Sequence, residues 1–286
     1  MRRQGPGPGI GDLACPNGEL GVFDSSTRGR VRVVAVGGAA ARWAALQAGR
    51  GIPPEILARA ESDPWHHDVT YFVPPDEPVD TPSRAAGLAL LGTPGSVLDV
   101  GCGGGDAAFA LASRATGLTG VDRQQDMLEV FAATATARGI VFRTVLGPWP
   151  GVAAAAGGAD VVVSHHVLHN VVDLPPFLLA LTAAARRGVV VEMLGQHPMA
   201  WLDPLWERFH GLHRPPPATT DDAVAVLREL GVEPAVTRWE RRSPPRQDPA
   251  WVTRRLCLPA GRAPEVAAAL DALVRPRVAA TLTWRP

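Results

Sequence analysis

Apolar residues in this chain are gathered into short runs, and the segments between the runs repeat apolar positions with helical spacing. Five runs rich in valine and leucine predict buried parallel strands, at 96–101, 117–122, 140–146, 159–164 and 188–193. Two later runs predict further strands, at 234–241 and 278–284. Helices are predicted between and after them, at 107–115, 124–138, 175–186, 205–210, 223–230, 251–258 and 263–274. This alternation is typical of an α/β fold.

The chain before the first buried strand has a different composition. Residues 1–30 are rich in glycine, proline and polar types, and they predict a disordered tail. Residues 31–93 predict a helical cap, with helices near 39–49, 53–57 and 81–91 separated by proline-rich breaks. Residues 94–286 then form one domain with an irregular insertion at 196–217, and no second core is expected.

A glycine-rich turn follows the first buried strand and carries the strongest functional signal. Gly101, Gly103 and Gly105 allow the backbone to turn tightly beneath a ligand. Asp122 ends the next strand, 21 residues after Gly101, where a carboxylate can accept hydrogen bonds from both hydroxyls of a ribose. The pattern therefore predicts a nucleotide-cofactor site.

The third small residue of a dinucleotide fingerprint is replaced here by an acid. Asp106 stands where glycine or alanine normally lets a pyrophosphate approach the helix. A carboxylate at this position repels a pyrophosphate but tolerates a cofactor that carries a sulfonium and an ammonium. The sequence therefore disfavours a nicotinamide-dependent oxidoreductase.

The same segment resembles motif I of the class I S-adenosylmethionine-dependent methyltransferases. Asp99, Gly101, Gly103 and Gly105 match that motif position by position, and Asp122 matches the acidic residue that contacts the adenosine ribose in the family. The resemblance implies S-adenosylmethionine as the cofactor. It also implies a Rossmann-like, mostly parallel seven-stranded sheet flanked by helices, whose last strand is antiparallel, beside an N-terminal helical cap. The neighbouring candidate cofactor-binding residues are Cys102, Arg123, Trp149 and His165.

Histidines are concentrated after the fourth strand, in the segment from Ser164 to Asn170. This segment resembles the one that passes beside the methionine moiety in small-molecule methyltransferases. His166 and His169 are candidate general bases, because an unperturbed histidine pKa near ~6.5 suits removal of a proton from a phenol, a carboxylic acid or a catechol. A purely structural role remains open for both histidines. A metal site on them lacks a carboxylate-rich partner set, so no metal is expected.

Two aromatic positions leave alternatives open. Trp149 can stack on the adenine or plug the space between strand and helix. Trp43 and the segments 165–168 and 209–212 also resemble a group of actinobacterial class I methyltransferases. This resemblance does not identify the methyl acceptor.

Composition removes several other functions. All 28 basic residues are arginines, so Schiff-base chemistry and a P-loop lysine are excluded. The formal net charge is zero and the arginines are dispersed, which argues against nucleic acid and favours a small-molecule substrate. Three widely separated cysteines and the lack of a membrane span or a signal peptide predict a cytoplasmic protein that does not associate with membranes.

The hypothesis is therefore an enzyme that transfers a methyl group from S-adenosylmethionine to a small metabolite. Two alternatives stay open at this point. One is a regulator or scaffold that binds the cofactor without turning it over, and the other is an oxidoreductase that uses a nicotinamide.

Overall fold

The computed structural model describes residues 19–22, 32–35, 37–65, 69–241, 247–273 and 277–286. The chain divides into two units, Met1–Gly38 and Ala39–Pro286. The strands are β1 (Glu19–Val22), β2 (Arg32–Ala35), β3 (Gly95–Val100), β4 (Ala115–Asp122), β5 (Phe142–Leu146), β6 (Ala159–His165), β7 (Ala185–Leu194), β8 (Ala235–Glu240) and β9 (Val278–Trp284).

The helices of the second unit lie between these strands and before them. They are α1 (Gly38–Ala48), α2 (Pro54–Leu57), α3 (Pro82–Leu91), α4 (Asp106–Phe109), α5 (Gln125–Ala137), α6 (Ala153–Ala156), α7 (Leu174–Ala184), α8 (Asp203–His210), α9 (Thr220–Glu229), α10 (Pro249–Arg255) and α11 (Ala263–Leu270). Short 3₁₀ turns occupy Val69–Phe72, Ala112–Arg114, Leu168–Asn170, Ala200–Leu202 and Ala260–Arg262.

Seven strands form one sheet in the order β5-β4-β3-β6-β7-β9-β8. The pairs from β5 to β7 are parallel, whereas β9 is antiparallel to both β7 and β8. The strand order reverses between β3 and β6, so the turns after those two strands open on the same crevice at the carboxyl edge. The predicted fold, with its last strand antiparallel and a helical segment before the sheet, is confirmed.

Both faces of the sheet are covered. Successive residues of its central strands point to opposite faces, and the residues of each face belong to a different buried cluster. Leu98 and Val162 belong to one buried cluster, while Val97 and Val163 belong to the other. This double burial explains why the central strands are uninterrupted apolar runs. A third cluster, built on Trp201, Trp206 and Trp251 and their neighbours, joins α2, α8, α10 and α11. This cluster belongs to the same compact unit, Ala39–Pro286, as the sheet.

One helix is much shorter than predicted. The helix expected at 107–115 covers only Asp106–Phe109, because β4 already begins at Ala115, where it pairs with Gly95. The 3₁₀ turn Ala112–Arg114 makes the connection. At the other end of the chain, the helix expected at 263–274 ends at Leu270.

The first unit contains a pair of strands. β1 and β2 are antiparallel, with Glu19 opposite Ala35 and Val22 opposite Arg32. Glu19–Val22 lies within the segment 1–30, for which the disordered tail stays a prediction. The remainder of 1–30 lies outside the described residues.

Candidate functional site

The glycine turn has the backbone conformation that its sequence requires. Gly101, Gly103 and Gly105 have φ values of +71°, +50° and +99°, which residues with side chains rarely adopt. A side chain at 101 would also lie 2.4 Å from Val167, in the turn that follows β6. The two turns at the carboxyl edge of the sheet are therefore in direct contact, and only glycine fits between them.

Part of the cap covers this turn. The carbonyl oxygen of Phe72 lies 1.8 Å from the position that a Cβ at Gly104 would take, and its ring lies 3.3 Å from the equivalent position at Gly103. Arg138, at the end of α5, donates a hydrogen bond of 2.8 Å to the carbonyl of Pro75 and holds the cap segment in place. Sequence reasoning did not single out Phe72, whose one signal was an aromatic residue in a proline-rich break.

Asp122 is held at the end of β4 by the main chain. Its Oδ2 accepts a hydrogen bond of 2.9 Å from the amide of Gly103, and its Oδ1 accepts one of 3.0 Å from the amide of Gln124. Each carboxylate oxygen retains a second lone pair for a ligand. The carboxylate therefore fixes the turn and still has the capacity to bind a diol.

Asp99 lies behind the turn. It is 1% exposed, and its Oδ2 accepts a hydrogen bond of 3.1 Å from the amide of Ala108 in α4. Burial raises the pKa of this carboxyl to about 8, against a smaller opposing effect of that hydrogen bond, while Asp106 and Asp122 raise it further. Sequence reasoning expected a direct ligand contact, whereas the observed bonding makes Asp99 a support for the turn.

His166 forms a close pair with Glu192 where β6 and β7 end. Its Nε2 lies 3.0 Å from Oε1 of Glu192, and its amide donates a hydrogen bond of 2.7 Å to the carbonyl of the same residue. The backbone of His166 has φ of +60°, which is strained for a residue with a side chain. Such strained backbone occurs mostly at functional sites, where the surrounding contacts hold it in place. In the sequence, Glu192 is only a polar residue within the predicted strand 188–193.

The pairing determines which nitrogen of His166 can act as a base. Burial raises the pKa of Glu192, but the hydrogen bond and the charges of the neighbouring histidines lower it more, to about 2. Glu192 is thus a carboxylate at neutral pH and accepts a hydrogen bond from the N–H at Nε2 of His166. In neutral His166 the lone pair is then on Nδ1, and the side chain is 36% exposed.

Of the other two histidines of the segment, His169 is buried and the side chain of His165 is 18% exposed. Nε2 of His169 lies 3.1 Å from the carbonyl of Leu194, so it must donate, and the side chain is 3% exposed. Burial lowers the pKa of His165 and of His169 to about 4. Of the two predicted bases, the structure gives His166 access to a ligand and gives His169 a structural hydrogen bond.

Three other predicted residues are placed apart from any evident ligand contact. The indole of Trp149 packs against the core and donates a hydrogen bond of 3.3 Å to the carbonyl of Phe177, as the alternative of a hydrophobic plug expects. Arg123 is exposed. Cys102 is buried, and burial raises the pKa of its thiol far above the ordinary value, so it is not a nucleophile.

The chemistry of the turn suits a cationic cofactor. Asp99, Asp106 and Asp122 act on one another electrostatically, and Glu192 acts on Asp106 in the same way. Burial, followed by the charge of Glu192, raises the pKa of Asp106. The carboxyl groups of Asp106, Asp122 and Glu192 near the glycine turn favour a sulfonium and an ammonium and disfavour a pyrophosphate. The residues present therefore fit S-adenosylmethionine.

The described residues contain neither a membrane-spanning helix nor a group of side chains arranged to hold a metal ion. No helix among the described residues is long and apolar enough to cross a membrane. Within the same residues, no three side chains of histidine, cysteine, aspartate or glutamate are arranged to hold a metal ion. A separate cavity of about 360 Å³ contains none of the residues of the glycine turn and is lined by Pro53, Glu55, Ile56, Arg59, Phe209, His210, Gly211 and Leu212.

Comparison with known proteins agrees with the geometry. Residues 97–188 match the family model described as a methyltransferase domain. No curated protein matches the chain in sequence. Among solved structures, a putative methyltransferase from Bacillus halodurans C-125 is 17% identical, with a TM-score of 0.51, and the match covers 70% of this chain and 99% of that one. The YcgJ protein from Bacillus subtilis is 16% identical, with a TM-score of 0.50, and the match covers 71% and 97%.

At these identities the solved structures establish the fold, and the family model identifies the domain that contains the glycine turn. The order of the strands, the acidic residue at the end of β4 and the match over 97–188 all agree with a methyltransferase domain. Residues 97–188, which contain the glycine turn and Asp122, therefore form a methyltransferase domain.

Proposed function

We propose that this enzyme methylates a small molecule with an acidic proton, and that His166 is its general base. The observation that carries the proposal is the hydrogen bond from Nε2 of His166 to the buried carboxylate of Glu192, at 3.0 Å. This bond orients the imidazole and leaves Nδ1 as the proton acceptor. His166 reaches solvent, so an acceptor molecule can reach it too.

The glycine turn and Asp122 hold the cofactor in this proposal. Asp122 accepts hydrogen bonds from the ribose hydroxyls, and the carboxyl groups of Asp106 and Glu192 favour the positive charges of the methionine end. When bound, S-adenosylmethionine supplies an electrophilic methyl group on a sulfonium sulfur. Phe72 lies over the turn and excludes water from one side of it.

The catalytic residues act on the acceptor molecule. A hydroxyl of the acceptor, such as that of a phenol or a catechol, binds against Nδ1 of His166 and gives up its proton there as the oxygen becomes a nucleophile. Glu192 stabilises the imidazolium that forms, because it is already ionised and buried beside Nε2. Alignment of the acceptor supplies the remainder of the rate enhancement.

Transfer of a labelled methyl group tests the proposal. S-adenosylmethionine with a tritiated methyl group is incubated with a panel of phenols, catechols and aromatic carboxylic acids, and label in the organic products is counted. We expect transfer to some members, a loss of roughly 10²-fold or more in His166→Ala, and a much smaller loss in His169→Ala. Equal rates in wild type and His166→Ala would refute the role of the base.

A cofactor titration separates an inactive binder from an enzyme. We expect S-adenosylhomocysteine to bind to wild type and to His166→Ala with equal affinity, because His166 acts on the acceptor. A protein that binds S-adenosylhomocysteine but transfers no label to any member of the panel contradicts methylation of this acceptor class and favours a regulator or scaffold.

A further inference from the structure

Three arginine side chains from distant parts of the chain meet beside His197, which follows β7. Nη1 of Arg214 donates a hydrogen bond of 3.1 Å to the carbonyl of Gly51, and its Nη2 donates one to the carbonyl of Arg50. Burial lowers the pKa of His197 to about 3, and His169, then Arg50, Arg255 and Arg214, lower it too. We call Arg50, Arg214 and Arg255 the arginine cluster.

Two donors of the arginine cluster are buried without a partner. Nη1 of Arg50 donates to the carbonyl of Pro215, and its Nη2 donates to Oδ1 of Asp203 at 2.7 Å, while the side chain is only 4% exposed. Its Nε, and the Nε of Arg214, have no hydrogen-bond partner among the described residues. Buried N–H groups without an acceptor are rare in native proteins, and a ligand is one way to satisfy them.

The positive charge of the arginine cluster exceeds the negative charge around it. Asp203 pairs with Arg50, and Asp63 is near enough to Arg255 to act on its charge. Three guanidinium groups therefore face two carboxylates within the described residues, which leaves one positive charge for a ligand. A carboxylate matches that charge and the paired donors of a guanidinium.

His197 adds a further donor to the arginine cluster. Its Nδ1 accepts a hydrogen bond of 3.1 Å from the amide of Met199, so the proton of the neutral ring is on Nε2. The imidazole stays neutral at physiological pH because its pKa is lowered.

The arginine cluster and the proposed base lie along the same edge of the sheet. The ring of His197 lies 5.7 Å from that of His169, edge to face. His169 bonds the carbonyl of Leu194, the last residue of β7, and Glu192 on the same strand holds His166. The base and the arginine cluster therefore both lie where strands of the sheet end.

We propose that the methyl acceptor carries a carboxylate, and that Arg50 and Arg214 bind it through their unpartnered Nε–H groups beside His197. This inference rests on the proposed function, because it concerns the substrate of the same site. The competing explanation is purely structural. The same arginines donate to carbonyls at 51 and 215, so they also join the cap to the insertion.

Binding of benzoate to the complex with S-adenosylhomocysteine distinguishes the two explanations. Benzamide, the neutral molecule of the same shape, is titrated in parallel, and both titrations use calorimetry. We expect benzoate to bind and benzamide to bind roughly 10-fold more weakly or not at all, since a charge-assisted hydrogen bond contributes more than a neutral one. Equal affinity for the two probes overturns the proposal.

Arg214→Met removes the guanidinium and keeps the apolar stem. Its control is Arg262→Met, because each guanidinium lies over an aromatic ring, at 4.9 Å from the ring centre of Trp206 for Arg214 and 4.8 Å from that of Phe209 for Arg262. We expect roughly 10-fold weaker benzoate binding in Arg214→Met only, with an unchanged affinity for S-adenosylhomocysteine. Unchanged benzoate binding in Arg214→Met assigns the arginines to structure alone and overturns the proposal.

Two further measurements keep the result interpretable. If Arg214→Met does not fold, the Nε–H resonances of wild-type arginines are followed by nuclear magnetic resonance, and we expect benzoate, but not benzamide, to shift them. The absence of any shift overturns the proposal. Titration of benzoate without S-adenosylhomocysteine separates the two hypotheses, since a protein that binds benzoate through Arg214 but never binds S-adenosylhomocysteine refutes the cofactor assignment and retains the anion site.

Discussion

Two charged regions lie along one edge of the sheet, and they have opposite signs. The glycine turn is surrounded by carboxyl groups, two of which accept hydrogen bonds from backbone amides: Asp99 from Ala108 and Asp122 from Gly103. The arginine cluster does the reverse, since its guanidinium groups donate to backbone carbonyls. In both regions polar side chains hold the main chain and leave capacity for a ligand. The difference in sign matches a cationic methyl donor at one region and an anionic acceptor at the other.

The largest effect is expected from a substitution that breaks the arginine cluster, and it is an effect on stability. Arg50→Met leaves the carboxylate of Asp203 half-buried without its partner, and we expect the free energy of unfolding to fall by about 3 kcal/mol. Chemical denaturation measures it. The control is Arg42→Met, which removes an exposed partner of Asp222 at 2.8 Å and lowers stability by less than about 1 kcal/mol. Equal losses in the two variants would show that burial of the Arg50 pair has no energetic consequence.

Glu192 is the positioning residue between the two regions. Glu192→Gln removes the charge that stabilises protonated His166, and we expect kcat to fall roughly 10²-fold, whereas the affinity for S-adenosylhomocysteine, whose ammonium this charge also favours, falls by much less. Label transfer and calorimetry measure the two quantities. Glu207→Gln, a change at an exposed glutamate on α8, serves as the control. A parallel loss of cofactor affinity would instead indicate that the substitution disturbs the turns around the site.

Asp122 tests the carboxylate region directly. Asp122→Ala removes the acceptor for the ribose hydroxyls and the bond to Gly103, so we expect affinity for S-adenosylhomocysteine to fall roughly 10-fold to 100-fold. Asp126→Ala, at an exposed position in the first turn of α5, is the control. Benzoate binding should be the same in both variants, because the arginine cluster is intact. Unaltered affinity for S-adenosylhomocysteine in Asp122→Ala would remove Asp122 from the cofactor site.

The smallest expected effect is a change in the pH dependence of stability when Asp99 is replaced. Its pKa is about 8 in the folded protein, against an ordinary value of 3.8, so the folded state keeps a proton that the unfolded state releases. Stability from this group is therefore complete below about pH 4 and declines as the pH rises to about 8. Asp99→Asn keeps the acceptor for Ala108 and should flatten that decline, as denaturation at several pH values measures. Asp76→Asn, at an exposed carboxyl, should leave it unchanged.

The carboxylate region could be predicted because its parts are close together in sequence. Asp99, the three turn glycines and Asp122 belong to one strand, turn and strand, and their order along the chain is their order in space. The buried strands were equally predictable, since a strand covered on both faces must be apolar at nearly every position. The structure placed every predicted strand of the sheet within a few residues of its expected bounds.

The short α4 could not be predicted in the same way. Its residues have good helical propensity, but the pairing of Ala115 with Gly95 requires extended backbone there, and tertiary pairing overrode local preference. The choice between His166 and His169 had a similar cause. Both histidines suit a base by residue type, and only the ends of β6 and β7 determine which one meets Glu192 and which one meets Leu194.

The sequence by itself determined the α/β fold and predicted a methyl-donor site, because both depend on short patterns in one continuous segment. Tertiary structure alone decided the arginine cluster and the pairing of His166 with Glu192. Arg50 lies 153 positions before Asp203 and 164 before Arg214, and no local pattern relates residues so far apart. Their charges act together only after the cap and the insertion have folded against the carboxyl edge of the sheet, where burial strengthens every electrostatic interaction.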